Sequence, residues 1–279
     1  MTHNASSAAT PGAVHADIEF LVPRPGPLFS YGHEPGPDDP PPSTEFEAVR
    51  VPIHDVRAGA ALSLDDNAAV LLRWPTAVRN FYDDDELTSR YYPEAAETIG
   101  SALGAARVVV SDHNIRRGMK LELKVSRYEQ GRPVAHAHAD YTERSAARRL
   151  ELALGGEARE LMRGRYLQVN LWRPIRAPLR DHPLAICDGA TVARHSLQRA
   201  DLRYPERLGE LYYLVYDAGQ RWYYASDMGT DEAWLFKNFD STPPGAGAVA
   251  PHGAFEDPRY PQVPSRESIE VRAFAFFDA

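Results

Sequence analysis

The chain has 279 residues, of which 43% are hydrophobic, so it is long enough for one large domain or two small ones with a sizeable core. Its formal charge is −8 and the basic residues do not cluster, which argues against a nucleic-acid groove. The single cysteine, Cys187, excludes an internal disulfide framework and cysteine-rich metal sites, and is read as a small buried hydrophobe.

In chain order, residues 1–16 are small and polar and read as a loose tail. They lack the basic-then-apolar order of a secretory signal. No apolar run approaches a membrane span, so the expected compartment is the cytoplasm, with no membrane partner. Residues 17–279 read as one domain. Within it, 23–44 form an arm rich in Pro and Gly where regular structure is not expected.

"AVRVPIHDV" and "AAVLLRW" read as strands. "DDDELTSRYYPEAAETIGSALG" opens with acids and spaces its apolar residues as a capped helix does, with Gly104 as a stop. "ARVVVSDHNIRR" and "LELKVSRYE" are predicted strands, and residues 142–165 are helical with a break at Gly155-Gly156. From Tyr166 come short segments rich in β-branched and aromatic residues: "YLQVNLWRPI", "PLAICDG", "GELYYLVYD", "QRWYYASD", "DEAWLFKNFD" and "SIEVRAFAFFD". "DAGQ" is expected to close a hairpin between two of them. This pattern predicts a mainly β fold with flanking helices, a jelly roll or barrel. No Gly-rich phosphate loop follows a strand and opens a helix.

"VAHAHADYT" places His136, His138 and Asp140 at alternate positions, on one face if extended. Imidazole and carboxylate suit ferrous iron, and two His plus one carboxylate on one octahedral face leave three positions open. His136 would have to reach about 13 Å along a strand to join Asp140, so His138 with Asp140 is the pair and His136 a neighbour. A His-x-acid pair arises by chance in a chain with ten His and 39 acids, and His15-Ala16-Asp17 is a second copy, set aside because it falls in the expected tail.

The order of parts adds weight. His252 follows a Gly/Ala/Pro loop. Arg266 and Ser268 stand at the mouth of the last strand on one face, where a guanidinium fork can hold a carboxylate. A further Arg-x-Ser, Arg194-His195-Ser196, precedes the distal histidine and is out of order. Together the set predicts Fe(II) held by His138, Asp140 and His252, with the distal carboxylate of 2-oxoglutarate on Arg266 and Ser268 and O2 as co-reactant. Arg272 shares the parity of Arg266 and is the reserve anchor.

With these residues in view, the chain resembles the CmcJ/AsaB-like oxygenases, which include a cephamycin-biosynthesis protein and gibberellin-desaturase-like enzymes. The resemblance runs from about residue 17 to the end, through "HADYT", "VNLWRPI", "PLAICDG", "RWYYASDMGTDEAWLFKNFDS", "PHGAFEDP" and "SRESIEVR". It implies a double-stranded β-helix and Fe(II)/2-oxoglutarate chemistry, with the iron ligands on His138, Asp140 and His252 and the cosubstrate pair on Arg266 and Ser268. It implies oxidation of a small secondary metabolite by hydroxylation, desaturation or related steps, and a pocket containing Arg117, Arg173 or Lys237 would suit an acidic or zwitterionic molecule such as an amino acid.

Further candidates come from charge in apolar settings. Asn170 is a candidate for cosubstrate binding. His113, Arg117, Tyr141, Arg173 and Lys237 are candidates for lining a substrate pocket, with a Lys237–Asp240 ion pair as the plainer reading. Three rivals remain: an iron dioxygenase of cupin type without 2-oxoglutarate, a non-catalytic jelly-roll binding module, and a methyltransferase. Oligomeric state has no signature in the sequence.

Overall fold

The computed structural model describes residues 12–117, 133–242 and 249–278. Its strands, in chain order, are β1 (Ala13–Leu21), β2 (Phe29–Tyr31), β3 (Phe46–Asp55), β4 (Ala69–Arg73), β5 (Arg107–Arg117), β6 (His138–Ala139), β7 (Tyr166–Pro174), β8 (Leu184–Cys187), β9 (Leu197–Arg203), β10 (Leu208–Leu214), β11 (Trp222–Tyr224), β12 (Glu232–Asp240), β13 (His252–Ala254) and β14 (Glu267–Phe276). They form a nine-stranded sheet ordered β1-β3-β11-β8-β13-β6-β10-β9-β2 and a five-stranded sheet ordered β4-β12-β7-β14-β5. The fold is the expected mainly β jelly roll with flanking helices.

Alternation along the five-stranded sheet sorts two kinds of residue. Val169, Leu171, Leu235, Ile269, Val271 and Ala273 point outward and pack with Leu87, Tyr91, Ala95 and Ile99 of the flanking helical segment. That segment begins at the Asp83 cap, whose side chain accepts from the Asp85 and Glu86 N–H groups. It passes through a π turn at Leu87–Tyr91 and continues as the α-helix Tyr92–Leu103. Pro93 supplies no N–H to the helix, a change in hydrogen bonding that the preceding π turn accommodates. Gly104 ends the helix at φ 63°, where a side chain would be strained.

The helix Glu143–Leu154 is closed at its start by a capping box between Thr142 and Ser145, and it breaks at Gly155 as predicted. Cys187 is fully buried, which pushes its thiol pKa up, as expected of an inert core thiol.

Three expectations change. The tail does not extend to residue 16: β1 starts at Ala13 and pairs along its full length with β3, because Val14, Ala16 and Ile18 alternate into the core. The Pro-rich arm contributes β2, which runs parallel to β9. "DAGQ" makes a turn, with Gln220 N–H donating to Asp217 O at 3.0 Å, but no hairpin. The chain leaving β10 crosses over, and β11 inserts between β3 and β8, its Trp222 and Tyr224 joining the Phe20 and Ile53 cluster. The predicted strand "LELKVSRYE" lies outside the described residues. Among the described residues no helix is long and apolar enough to cross a membrane.

Candidate active site

β6 has only two residues, yet it fixes the site. His138 pairs across to His252 of β13 on one side and Tyr213 of β10 on the other. Asp140 follows just past the strand and turns toward the five-stranded sheet, where its backbone N–H donates to Asn238 Oδ1 at 2.9 Å. One donor atom from each of His138, Asp140 and His252 lies within 4.8 Å of the others. The imidazole centroids are 4.4 Å apart, and His138 Nε2 is 3.5 Å from Asp140 Oδ1.

Hydrogen bonds orient each donor. His138 Nδ1 donates to the His136 carbonyl at 2.7 Å, and His252 Nδ1 faces the Ala250 carbonyl at 3.4 Å, so both Nε2 lone pairs are directed to the common point. Asp140 Oδ2 accepts from Asn170 Nδ2 at 2.8 Å and lies 3.3 Å from Arg272 Nε, which leaves Oδ1 toward the imidazoles.

Charge states agree with this geometry. Burial and the neighbouring His138 push the His252 pKa down to about 3, so its imidazole is neutral. Burial alone would raise Asp140, but the Arg272 guanidinium holds its carboxyl well below the usual range. Two imidazole nitrogens and one ionised carboxylate oxygen, preoriented and converging, fit a divalent iron.

His136 is a neighbour, as expected. Its imidazole stacks on Phe46 at 3.7 Å and pairs with Glu19, and it is the residue's carbonyl that serves the site.

The cleft beside the triad is lined by Arg116, Trp172, Arg266 and Glu270 together with His138, Asp140 and His252. Arg266 is buried. Its backbone N–H donates to Asp181 Oδ2 at 2.7 Å, Nη1 to the His182 carbonyl at 2.7 Å, and Nε to Ser268 Oγ at 2.9 Å. The guanidinium lies over Trp172 at 4.8 Å. Burial, with Arg116 nearby, pushes the pKa of Arg266 down to about 9. Arg272 is engaged elsewhere: Asp140, Asp112 and Glu270 surround it and outweigh burial, so its pKa stays high. That commitment removes Arg272 as the reserve anchor.

Several sequence candidates fall on the other side of the sheet. Directly opposed residues on paired strands share a face. His113 stands opposite Val271, Arg173 opposite Ile269, Lys237 opposite Val169 and Arg117 opposite Glu267, all at outward positions. His113 Nδ1 meets Tyr92 Oη at 2.7 Å. Arg117 stacks on Tyr82 at 4.1 Å. Arg173 lies 4.9 Å over Trp74 beneath the helix. Lys237 Nζ is 3.8 Å from Asp240, which also pairs with Arg165, so the plainer reading of Lys237 holds.

Asn170 faces inward but is taken by Asp140, with its Oδ1 accepting from Gln168 at 3.0 Å, so it orients a donor rather than binding cosubstrate. Tyr141 lines a separate cavity of about 600 Å³ with Asn238, Phe239 and Tyr212. Arg116 and Glu270 were missed: Glu270 shares strand parity with Ser268 and Arg272, whereas Arg116 is placed only by its register opposite Ser268. One consequence is testable: Arg173→Met will leave 2-oxoglutarate turnover unchanged and shift stability by less than about 2 kcal/mol, since an apolar isostere replaces a buried cation. Turnover of labelled 2-oxoglutarate and thermal melting would check it.

Comparison with known proteins fits this site. The family model described as "Oxidoreductase/YMDC permease-like domain" matches residues 18–276. "Alpha-ketoglutarate-dependent dioxygenase tstK" of Talaromyces stipitatus is 30% identical, over 81% of this chain and 84% of that protein. This chain belongs to the Fe(II)/2-oxoglutarate-dependent dioxygenases. The dioxygenase is also 30% identical to "Hydroxylase/desaturase poxK" of Penicillium oxalicum, over 83% of this chain and 80% of its relative. Its fold is shared with the solved "iron and alpha-ketoglutarate-dependent endoperoxidase NvfI", at a TM-score of 0.86 and 24% identity, covering 97% of this chain and 100% of that one.

Proposed function

We propose that this dioxygenase holds Fe(II) on His138, Asp140 and His252, anchors 2-oxoglutarate through Arg266 and Ser268, and oxidises a C–H bond of a small secondary metabolite. The observation that carries the reading is the convergence of two imidazoles and one ionised carboxylate within 4.8 Å, beside a buried guanidinium. Bound iron with 2-oxoglutarate and O2 supplies oxidative decarboxylation to succinate and CO2, coupled to removal of hydrogen from the substrate.

The chain's own residues do the placing. The carbonyls of His136 and Ala250 fix the imidazole tautomers, and Asn170 and Arg272 hold Asp140 ionised. Trp172 and Leu184 supply apolar wall to the cleft, and Phe236 packs against the His252 ring at 4.6 Å. Arg266 would meet the distal carboxylate with a fork already set by Ser268 and His182. The cavity beside Tyr141 has the room of a small-molecule site.

The cupin-type rival without 2-oxoglutarate leaves Arg266 buried with no anion to meet, a costly arrangement. The segments that resemble the CmcJ/AsaB-like oxygenases support assignment to that branch, and the cytoplasm is its proposed compartment. The test is release of labelled CO2 and succinate from 2-oxoglutarate on adding Fe(II), stopped by a chelator. Absence of both iron-dependent turnover and 2-oxoglutarate binding would overturn the reading.

A further inference from the structure

On β12 the register with β7 shifts between Lys237 and Phe239, so Asn238 is an extra residue in the strand. Such a bulge bends a strand and re-aims a side chain. Here it turns Asn238 inward, where its Oδ1 accepts from the Asp140 N–H at 2.9 Å. That backbone donor fixes the orientation of the amide. Asn238 is fully buried, and its Nδ2 has no acceptor among the described residues. A buried donor left unpaired is destabilising, and it calls for a partner that binding would bring.

Asn238 lines the cavity of about 600 Å³ together with Tyr141 and Phe239. The inward residues of β14 place that cavity relative to the donor triad. Ser268 stands at the cosubstrate end, Arg272 lies beside Asp140, and Phe274, two residues further on, meets Tyr141 at 6.4 Å between ring centroids. Phe274 stands opposite Gln168 of β7, the same residue that Phe239 faces from β12. The wall formed by Tyr141, Asn238 and Phe239 therefore lies beyond Asp140 from Ser268, and a molecule in the cavity meets the triad from the side away from the cosubstrate.

The charged groups of the lining already have partners. Glu143 accepts from Arg194 at 3.2 Å and from Arg199 at 2.9 Å. Asp240 pairs with Arg165 at 2.8 Å, and Arg24 lies 3.8 Å from Glu45. Aromatic walls with a few placed polar groups suit an apolar body, and Asn238 supplies a neutral donor.

We propose that this cavity takes an uncharged, largely apolar substrate, and that Asn238 Nδ2 positions it by donating a hydrogen bond to a carbonyl oxygen. The inference rests on the iron/2-oxoglutarate reading of the adjoining cleft and names the substrate class of that same site. Asn238 then has two tasks: its oxygen supports the Asp140 backbone, and its nitrogen selects the substrate.

The test is ligand-observed proton relaxation in protein saturated with Mn(II) and 2-oxoglutarate, with no turnover involved. A molecule bound near the paramagnetic ion relaxes faster. Three probes share a bicyclic skeleton: 1-decalone carries a carbonyl, 1-methylenedecalin has CH2 in place of the oxygen, and decalin-1-carboxylate carries a charge. In wild-type protein 1-decalone is expected to bind about 5- to 10-fold more tightly than either of the others. Asn238→Asp keeps an acceptor for the Asp140 N–H and removes the amide donor, and Asn238→Leu removes both. Each is expected to weaken 1-decalone by about 5- to 10-fold and to change 1-methylenedecalin by less than about twofold.

Damage to the metal site moves both probes together. Equal losses, or loss of Mn(II) binding in both variants, would make Asn238 a support for Asp140 alone. Equal wild-type affinity for 1-decalone and 1-methylenedecalin would assign the amide to a local contact with Gln168 Oε1, which is also unpaired on the facing strand. Tighter binding of the carboxylate, or no probe held near the metal, would remove the uncharged substrate class. Each of these results overturns the inference and leaves the iron/2-oxoglutarate reading intact. Wild-type protein that binds Mn(II) but not 2-oxoglutarate would overturn that reading itself.

Discussion

Alanine at His252 will lower Fe(II)-dependent decarboxylation of 2-oxoglutarate by more than about 100-fold, beyond the loss typical when an orienting partner of a ligand is removed. The expectation follows from the donor count. Among the described residues, His138, Asp140 and His252 are the group of His, Cys and acidic side chains that converges on one point, and loss of one imidazole leaves two donors. Asn170→Ala provides the graded control. It leaves all three donors in place but removes the 2.8 Å bond that holds Asp140 Oδ2, so metal affinity should fall roughly 10- to 100-fold. Metal titration followed by calorimetry separates the two variants. Near-normal metal binding in His252→Ala would remove it from the ligand set.

Arg266→Met will raise the KM for 2-oxoglutarate by about 100-fold, because a charge-assisted, two-point contact with a carboxylate is lost. The same change should leave the melting temperature of the ligand-free protein unchanged or higher. Arg266 is buried and sits over Trp172 with burial opposing its charge, so an apolar side chain of similar length removes a desolvation cost. A guanidinium kept for structure predicts the reverse pattern, a lower melting temperature with KM intact. Steady-state kinetics and a thermal melt on one preparation distinguish them.

The sequence made the strands visible where side chains alternate or are β-branched. Thus β3, β5, β7, β12 and β14 appear close to their predicted spans. It made the triad visible because His138 and Asp140 are two residues apart and His252 follows in order. Pairing partners were hidden. The sequence around "DAGQ" has the local signature of a hairpin, and nothing local tells β11 to leave β10 and join β3, a choice made by the fit of Trp222 and Tyr224 against Phe20 and Ile53.

Face assignment was the other difficulty. β5 carries polar residues on both faces, so hydrophobicity does not say whether Arg116 or Arg117 points inward. The register with β14 decides for Arg116. Arg173 and Lys237 misled for a related reason: a charge within an apolar strand suggests a pocket, yet here aromatic rings and Asp240 receive them on the helix side.

The strands β5, β7 and β14 pack against the helix with one surface and line the cleft through Arg116, Trp172 and Glu270 on the other. Substitutions on the cleft surface can therefore alter which molecule reacts while the layer that holds the helix is spared. Selection for a new product and selection for an intact fold act on alternate letters of the same strands, which lets such an enzyme drift in chemistry without first being rebuilt.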